Sequence, residues 1–376
     1  MSELASRLAP HYTRFLRPGR ILLTGHSHQA WPDVALDGVV RAFEDAATHV
    51  DDKWEHAAAA AGAVQSYVAK ELGGHPGAVA LAVNTHELVT RFLSALDYQR
   101  RHIVTTAGEF HSIRRQLQRL EEEGVEVTRV PVTPLETLGT RLAEAVRPDT
   151  AALMTSTVLF ESSSQVPGLV AATTSAFDHG AQVLLDAYHH FGVVPWRAID
   201  ERAFVVGGGY KYAQWGEGAC FMRVPAETTL RPVYTGWFSD FAGLAGTQGE
   251  RVAYGNTPAD RFAGSTYDPT SHYRARAVIE FFEEQGLTID VLAQSYQRQT
   301  ARIIEGLGGF DVVTPSARGG FVSVRLANAA DVVAALRDRG VFVDSRAESL
   351  RFGPAPYVHD EEIDAALAAF REVARR

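Results

Sequence analysis

The sequence predicts an α/β fold: a mostly parallel sheet in a large domain with helices on both faces, plus a smaller α+β domain. Two observations carry this. Short apolar runs alternate with amphipathic stretches through the first two-thirds of the chain, the pattern of buried strands joined by covering helices. After Pro232 the alternation gives way to a Gly- and aromatic-rich stretch, followed by a different mixture of helices and short strands. A chain of 376 residues, 46% of them hydrophobic, is long enough to fill two such cores.

The strands expected in the first part are Ala78–Ala82, His102–Thr105, Val125–Val130, Ala151–Thr155, Gln182–Leu185, Ala203–Val206 and Ala219–Arg223. Between them, Leu88, Phe92 and Leu96, then Ile113, Leu117 and Leu120, recur at helical spacing. Tyr234 to Thr266 reads as an irregular functional loop region. A long helix is expected after Asp268-Pro269, with strands near Phe321–Leu326 and Val341–Val343 and helices at Ala330–Arg337 and Asp360–Ala374. This places a large domain at 46–267 and a small domain at 1–45 and 268–376, the N-terminal amphipathic segment joining the tail.

Bulk properties exclude several function classes. The net charge is −9, and no block of Lys or Arg marks a nucleic-acid partner. No stretch approaches the roughly 20 apolar residues of a membrane span. The first residues lack the pattern of a signal peptide, so a cytoplasmic protein is expected. Cys220 is the only cysteine, which rules out an intrachain disulfide or a cysteine-rich metal site. His26, His28 and His56 lack metal-ligand spacing, and no metal is expected.

The chemistry concentrates in two places. An apolar run ends at Asp186, with His189 three residues on; a second ends in Gly207, Gly208 and Gly209 before Tyr210 and Lys211. The separation, 211 − 186 = 25 residues, is about one strand–helix–strand unit, so the carboxylate and the amine can meet at one sheet edge. An acid and a lysine so placed fit a pyridoxal phosphate site, the amine forming a Schiff base and Asp186 pairing with the pyridine nitrogen. Taken alone, Asp186 is equally a helix cap. The glycine run is either a flexible loop or a place where backbone approaches a cofactor.

Asn84-Thr85-His86-Glu87 stands where a strand gives way to a helix. It caps that helix, and the same geometry presents free N–H groups to a phosphate. No nucleotide phosphate motif occurs in the chain. Phe110, between a strand and a helix, is either core or a ring stacked on a cofactor, with His111 and Ser112 beside it. Ser163 belongs to a polar loop cluster, Glu161 to Gln165. Arg351, in SLRFGPAPY, is either a surface ion pair or a bidentate clamp on a substrate carboxylate. His26 and His28 are substrate contacts or turn residues.

On these motifs the chain resembles the fold-type I pyridoxal phosphate enzymes of the class V aminotransferase group, and within them kynureninase. DAYH, GYKY, AGEFHS, GWF, RFAGST and LRFGPAPY occur in the family's order. The resemblance implies that Lys211 carries the cofactor, Asp186 meets its pyridine nitrogen, and His189 lies nearby. It implies Phe110 as the stacking ring and Tyr210 near the phosphate; Thr85, His86 and Glu87 at the helix start, with Ser112 and Ser163, are the further candidates for the cofactor site. Trp237 and Thr266 would reach the phosphate from a partner subunit, making a homodimer with shared active sites. Arg351 would bind the substrate carboxylate, with His26 and Ser27 facing the substrate. The segment GHSHQ (Gly25 to Gln29) departs from the family's Gly-Asn-Ser-x-Gly, and Thr266 replaces an asparagine.

The expected activity is a kynureninase-like hydrolysis or lysis of an amino acid. The alternatives are a class V aminotransferase and a cofactor-binding regulator without catalysis. A cysteine desulfurase is disfavoured, because that chemistry needs a mobile cysteine and Cys220 lies in an apolar strand.

Overall fold

In a computed structural model, residues 2–97, 99–197, 199–246 and 249–374 are described. The chain opens with α1 (Ser2–Leu8), β1 (Ile21–Leu22), α2 (Val34–His49) and α3 (Lys53–Leu72). Strands and helices then alternate: β2 (Val79–Ala82), α4 (Thr85–Ser94), β3 (His102–Thr106), α5 (His111–Glu122), β4 (Glu126–Val130), α6 (Leu138–Ala145), β5 (Thr150–Ser156), α7 (Leu169–Asp178), β6 (Gln182–Asp186), β7 (Phe204–Gly208) and β8 (Cys220–Arg223). The remainder holds α8 (Thr270–Glu284), α9 (Ile289–Gly306), β9 (Asp311–Val312), β10 (Val322–Arg325), α10 (Ala329–Arg337), β11 (Val341–Phe342), β12 (Asp344–Arg346), β13 (Ser349–Phe352) and α11 (Asp360–Ala374).

All seven apolar runs of the first part become strands of one sheet, in the order β2-β8-β7-β6-β5-β3-β4. Its pairs are parallel except those made by β8, which runs against both neighbours. Strands β3, β5 and β7 are buried at every residue, as a sheet covered on both faces requires. Successive side chains feed two cores. Val104, Leu153 and Leu185 join one, while Ile103, Met154 and Leu184 join the other with Leu88, Phe92 and Leu117 from the helices. Asp186 is the last residue of β6, and Ser156, its partner in register, is the last of β5. Polar side chains thus gather at the strands' C-terminal edge, beyond which the apolar layers end.

The second body is built on a four-stranded antiparallel sheet, β12-β13-β10-β9. The N-terminal segment joins it: β1 pairs in parallel with β11. Sequence periodicity anticipates β10, α10, β11 and α11 but not the hairpin of β12 and β13, whose strands are three and four residues long. Arg351 lies in that hairpin, directly opposite Asp344.

Candidate active site

One pocket at the C-terminal edge of the large sheet is walled by Thr85, His86, Phe110, Ser112, Asp186, His189, Tyr210 and Lys211. The structure therefore brings together eight of the residues singled out in the sequence. Asn84, Ser156, Phe160 and Tyr188 complete much of the remaining wall.

Each side chain is placed by a local cause. Asn84 caps α4, its Oδ1 accepting the Glu87 N–H at 2.9 Å. Thr85 and His86 line the pocket from the helix start, where their N–H groups have no partner within the helix. Phe110 occupies the position before α5 with extended backbone, and its ring meets Phe160 edge-on at 5.4 Å. Asp186 is held at the strand end by the Tyr188 N–H, 2.8 Å from Oδ1.

Lys211 is buried, with Nζ 2.8 Å from His189 Nε2, and Nζ lies 5.7 Å from the Phe110 ring centre. Burial brings its ammonium down to about 7, Asp186 opposing that shift and Arg351 adding to it. Burial also pushes the Asp186 carboxyl up and the His189 imidazole down. His189 is therefore neutral, and its buried Nδ1 has no partner among the described residues.

The glycine run is crowded by aromatic side chains. A Cβ at Gly207 would meet the Phe221 ring at 2.5 Å, at Gly208 the Tyr188 hydroxyl at 2.1 Å, and at Gly209 the Trp215 ring at 2.4 Å. These glycines leave room for aromatic side chains, of which Tyr188 also lines the pocket.

Several expected residues stand off the pocket wall. Glu87 turns along α4 to pair with Arg91, Oε2 to Nη2 at 2.9 Å. Ser163 is buried with a left-handed backbone, and its Oγ, without a partner among the described residues, lies beside the Gly319 backbone. Ser27 spends its hydroxyl on Thr24 O within its own turn. Trp237 and Thr266 do meet each other, Nε1 to Oγ1 at 3.3 Å, in a part-exposed aromatic group with Phe238 and Phe241.

Arg351 is buried rather than a surface ion-pair residue. Its Nε and Nη2 grip the two Asp344 oxygens at 2.9 and 2.5 Å, and Nη1 donates to Phe160 O at 2.6 Å. His26 is buried beside it, Nε2 being 2.7 Å from Asp344 Oδ1. Phe321 ties this group to the lysine: its ring stacks on His26 at 4.7 Å, meets His189 at 5.3 Å, and lies 5.5 Å from the Arg351 guanidinium.

Sequence reasoning missed Glu109, Asp344 and Phe321. Glu109 is buried directly under the site, accepting Ser156 N–H and Oγ–H and the Thr106 hydroxyl. Its signal was an acid at the strand–helix junction immediately before Phe110. Asp344 and Phe321 gave no local signal, because both act through partners distant in sequence. Elsewhere, Asp45, His49 and His56 cluster at the turn between α2 and α3. There the two imidazoles stack face to face at 4.2 Å, so their in-plane lone pairs run side by side rather than converge.

Residues 272–370 match the family model of the kynureninase C-terminal domain, a segment that includes Arg351. A mitochondrial cysteine desulfurase of Arthroderma benhamiae is 27% identical over 213 residues, 53% of this chain. The match spans 41% of that relative's length. Among solved structures, a C-DES mutant with glycine covalently linked to the PLP cofactor superimposes with a TM-score of 0.84 at 18% identity, covering 97% of this chain and 98% of that one. The cystine C–S lyase C-DES with its product cysteine persulfide gives 0.83 at 18% identity, covering 94% and 97%. The apo cysteine desulfurase of Thermococcus onnurineus NA1 gives 0.80 at 18% identity, covering 95% of each chain. At these identities the likeness is one of fold.

Proposed function

We propose that this chain is a pyridoxal phosphate enzyme of the class V group that acts on an amino acid. The observation that carries the reading is a buried lysine and a buried strand-end aspartate in one pocket with an aromatic ring and an open helix N-terminus. These residues fit the cofactor: Lys211 would hold its aldehyde carbon and Asp186 its pyridine nitrogen. Phe110 would cover a ring face, and the start of α4 with Tyr210 would take the phosphate. When bound, the cofactor supplies an electron sink for charge developing at the substrate's Cα.

The chain's own groups supply the rest. Lys211, brought down to about 7, is partly neutral near pH 7, so its Nζ can act as a nucleophile and then as the base at Cα. His189 Nε2, within 2.8 Å, accepts a hydrogen bond from Nζ and orients it. Arg351 is the candidate anchor for the substrate carboxylate.

The kynureninase-like reaction, cleavage beyond Cβ with release of alanine, is the finer reading, supported by the family match over 272–370. A second reading is C–S bond cleavage, the activity named for one structural neighbour. In that case no cysteine of this chain relays sulfur. Cys220 is buried in β8 with Sγ 3.2 Å from the Tyr188 hydroxyl, and burial pushes its thiol up. Exposed Trp237, Phe241, Leu244, Tyr234 and Val233 support a homodimer in which Trp237 and Thr266 reach a neighbour's phosphate.

Purified holoenzyme incubated with L-kynurenine, with cystine, and with amino acid plus keto-acid acceptor separates the readings. Alanine from kynurenine is the expected result. Sulfide or persulfide from cystine establishes the second reading, and a new amino acid made from the acceptor establishes an aminotransferase. A cofactor spectrum unmoved by every amino acid overturns the enzyme reading in favour of a regulator.

A further inference from the structure

Asp344 is among the most constrained side chains near the pocket. The β12–β13 register sets it opposite Arg351, and the two carboxylate oxygens take Nε and Nη2 of the guanidinium. Its Oδ1 also meets His26 Nε2 at 2.7 Å, and Arg346 Nη1 approaches Oδ2 at 3.5 Å. A carboxylate shared by two arginines and a histidine remains ionised. Burial pushes its carboxyl up, but His26 and Arg351 together hold it far below the usual range. His26 is neutral, burial bringing it down to about 4, so the proton it gives to Asp344 sits on Nε2.

Counting donors shows what remains for a substrate. Arg351 has five N–H bonds. Asp344 uses one on Nε and one on Nη2, and Phe160 O uses one on Nη1. One hydrogen on each terminal nitrogen is left for a substrate. Phe160, on the Nη1 side, belongs to the wall of the lysine's pocket.

We infer that Asp344 is the positioning residue of the substrate-carboxylate site: it grips Arg351 along the Nε–Nη2 edge so that the Nη1–Nη2 end is presented to an amino acid's carboxylate, and His26 braces Asp344 from behind. This rests on Arg351 being the carboxylate anchor. Asp344 also offsets part of the charge of Arg351 as felt at Lys211, since it favours the ammonium there while Arg351 opposes it. The alternative is a cross-strand ion pair that only stabilises the hairpin.

The test titrates holoenzyme variants with an amino acid and with the amine that lacks only its carboxylate, following the cofactor's absorbance. Asp344→Asn is expected to weaken the amino acid roughly tenfold or more while leaving the amine unchanged, as loss of charge-assisted positioning does, and Asp344→Glu should restore part of the loss. Equal weakening of both ligands, or no change in either, overturns the inference even if Arg351→Ala erases the preference for the amino acid. If Arg351→Ala leaves that preference intact, the anchor reading itself fails. Melting curves of each variant identify any that fail to fold. Should Asp344→Asn be one of them, His26→Gln, which removes only the brace, is expected to lower the preference in the same direction, and its having no effect overturns the inference.

Discussion

Glu109 offers a sharp quantitative test, because opposing forces act on one buried carboxyl. Ser156 and Thr106 surround it with donors, which favours the anion; burial favours the acid, and Asp186 beside it adds like charge. Burial wins, and the carboxyl is pushed up to about 7, against about 4.3 in an unfolded chain. The folded protein therefore binds this proton more tightly. The resulting stabilisation is complete below about pH 4 and is lost as pH rises toward 7. At ~1.4 kcal/mol per pH unit the loss is about 3–4 kcal/mol. Glu109→Gln removes the titration while keeping the shape. It sacrifices hydrogen bonds at every pH, so the absolute stabilities differ, but only the wild type carries the slope. With ~2 cal/mol/K of unfolding entropy per residue, the chain's 376 residues give about 0.8 kcal/mol/K, so the variant's Tm should gain about 4 °C on the wild type between pH 4.5 and 7.5. Calorimetry of both proteins across that range, with and without cofactor, reads this directly. A Tm difference that stays flat with pH would mean that the donors keep Glu109 ionised, and the reasoning from burial would be refuted.

Two further expectations concern the pocket and its neighbour. Borohydride reduction of the holoenzyme followed by peptide mapping should place the pyridoxyl group on Lys211, and Lys211→Ala should lose the cofactor's colour; a label on Lys53 or Lys70 would end the assignment. Light scattering should find a dimer, and Trp237→Ala should weaken cofactor retention more than it weakens the fold; an active monomer at assay concentration would remove the shared-site proposal.

How legible the molecule is in its sequence follows from how local each cause is. The central strands of the large sheet are readable because burial on both faces demands unbroken apolar runs, as in Ala151 to Met154, while β4 at the sheet edge is mostly part-exposed. The β12–β13 hairpin is not, since Asp344-Ser345-Arg346 carries no apolar alternation and owes its strand to pairing with Ser349–Phe352. Asp186 and Lys211 stand out because each closes an apolar run. Glu109 acquires its meaning from Ser156, 47 residues on, and Phe321 from His26 and His189. The glycines before Lys211 read in the sequence as a flexible loop or a cofactor cradle, and the run itself does not announce that Trp215, Phe221 and Tyr188 fill the space a Cβ would need.

The pairing of β1 with β11 has a consequence for biosynthesis. Ile21 meets Val341, a separation of 341 − 21 = 320 residues, so β1 has no strand partner until about 320 further residues have been made. At ~5–20 residues per second of synthesis that delay is about 16–64 s. During it the apolar face that Leu22 and Leu23 bury in the finished protein is exposed or held by other surfaces. The large sheet, whose strands all lie between Val79 and Arg223, can form meanwhile. The segment that carries β1 and His26 is thus made well before the strands it docks against, and the Asp344 that His26 meets follows it by 318 residues.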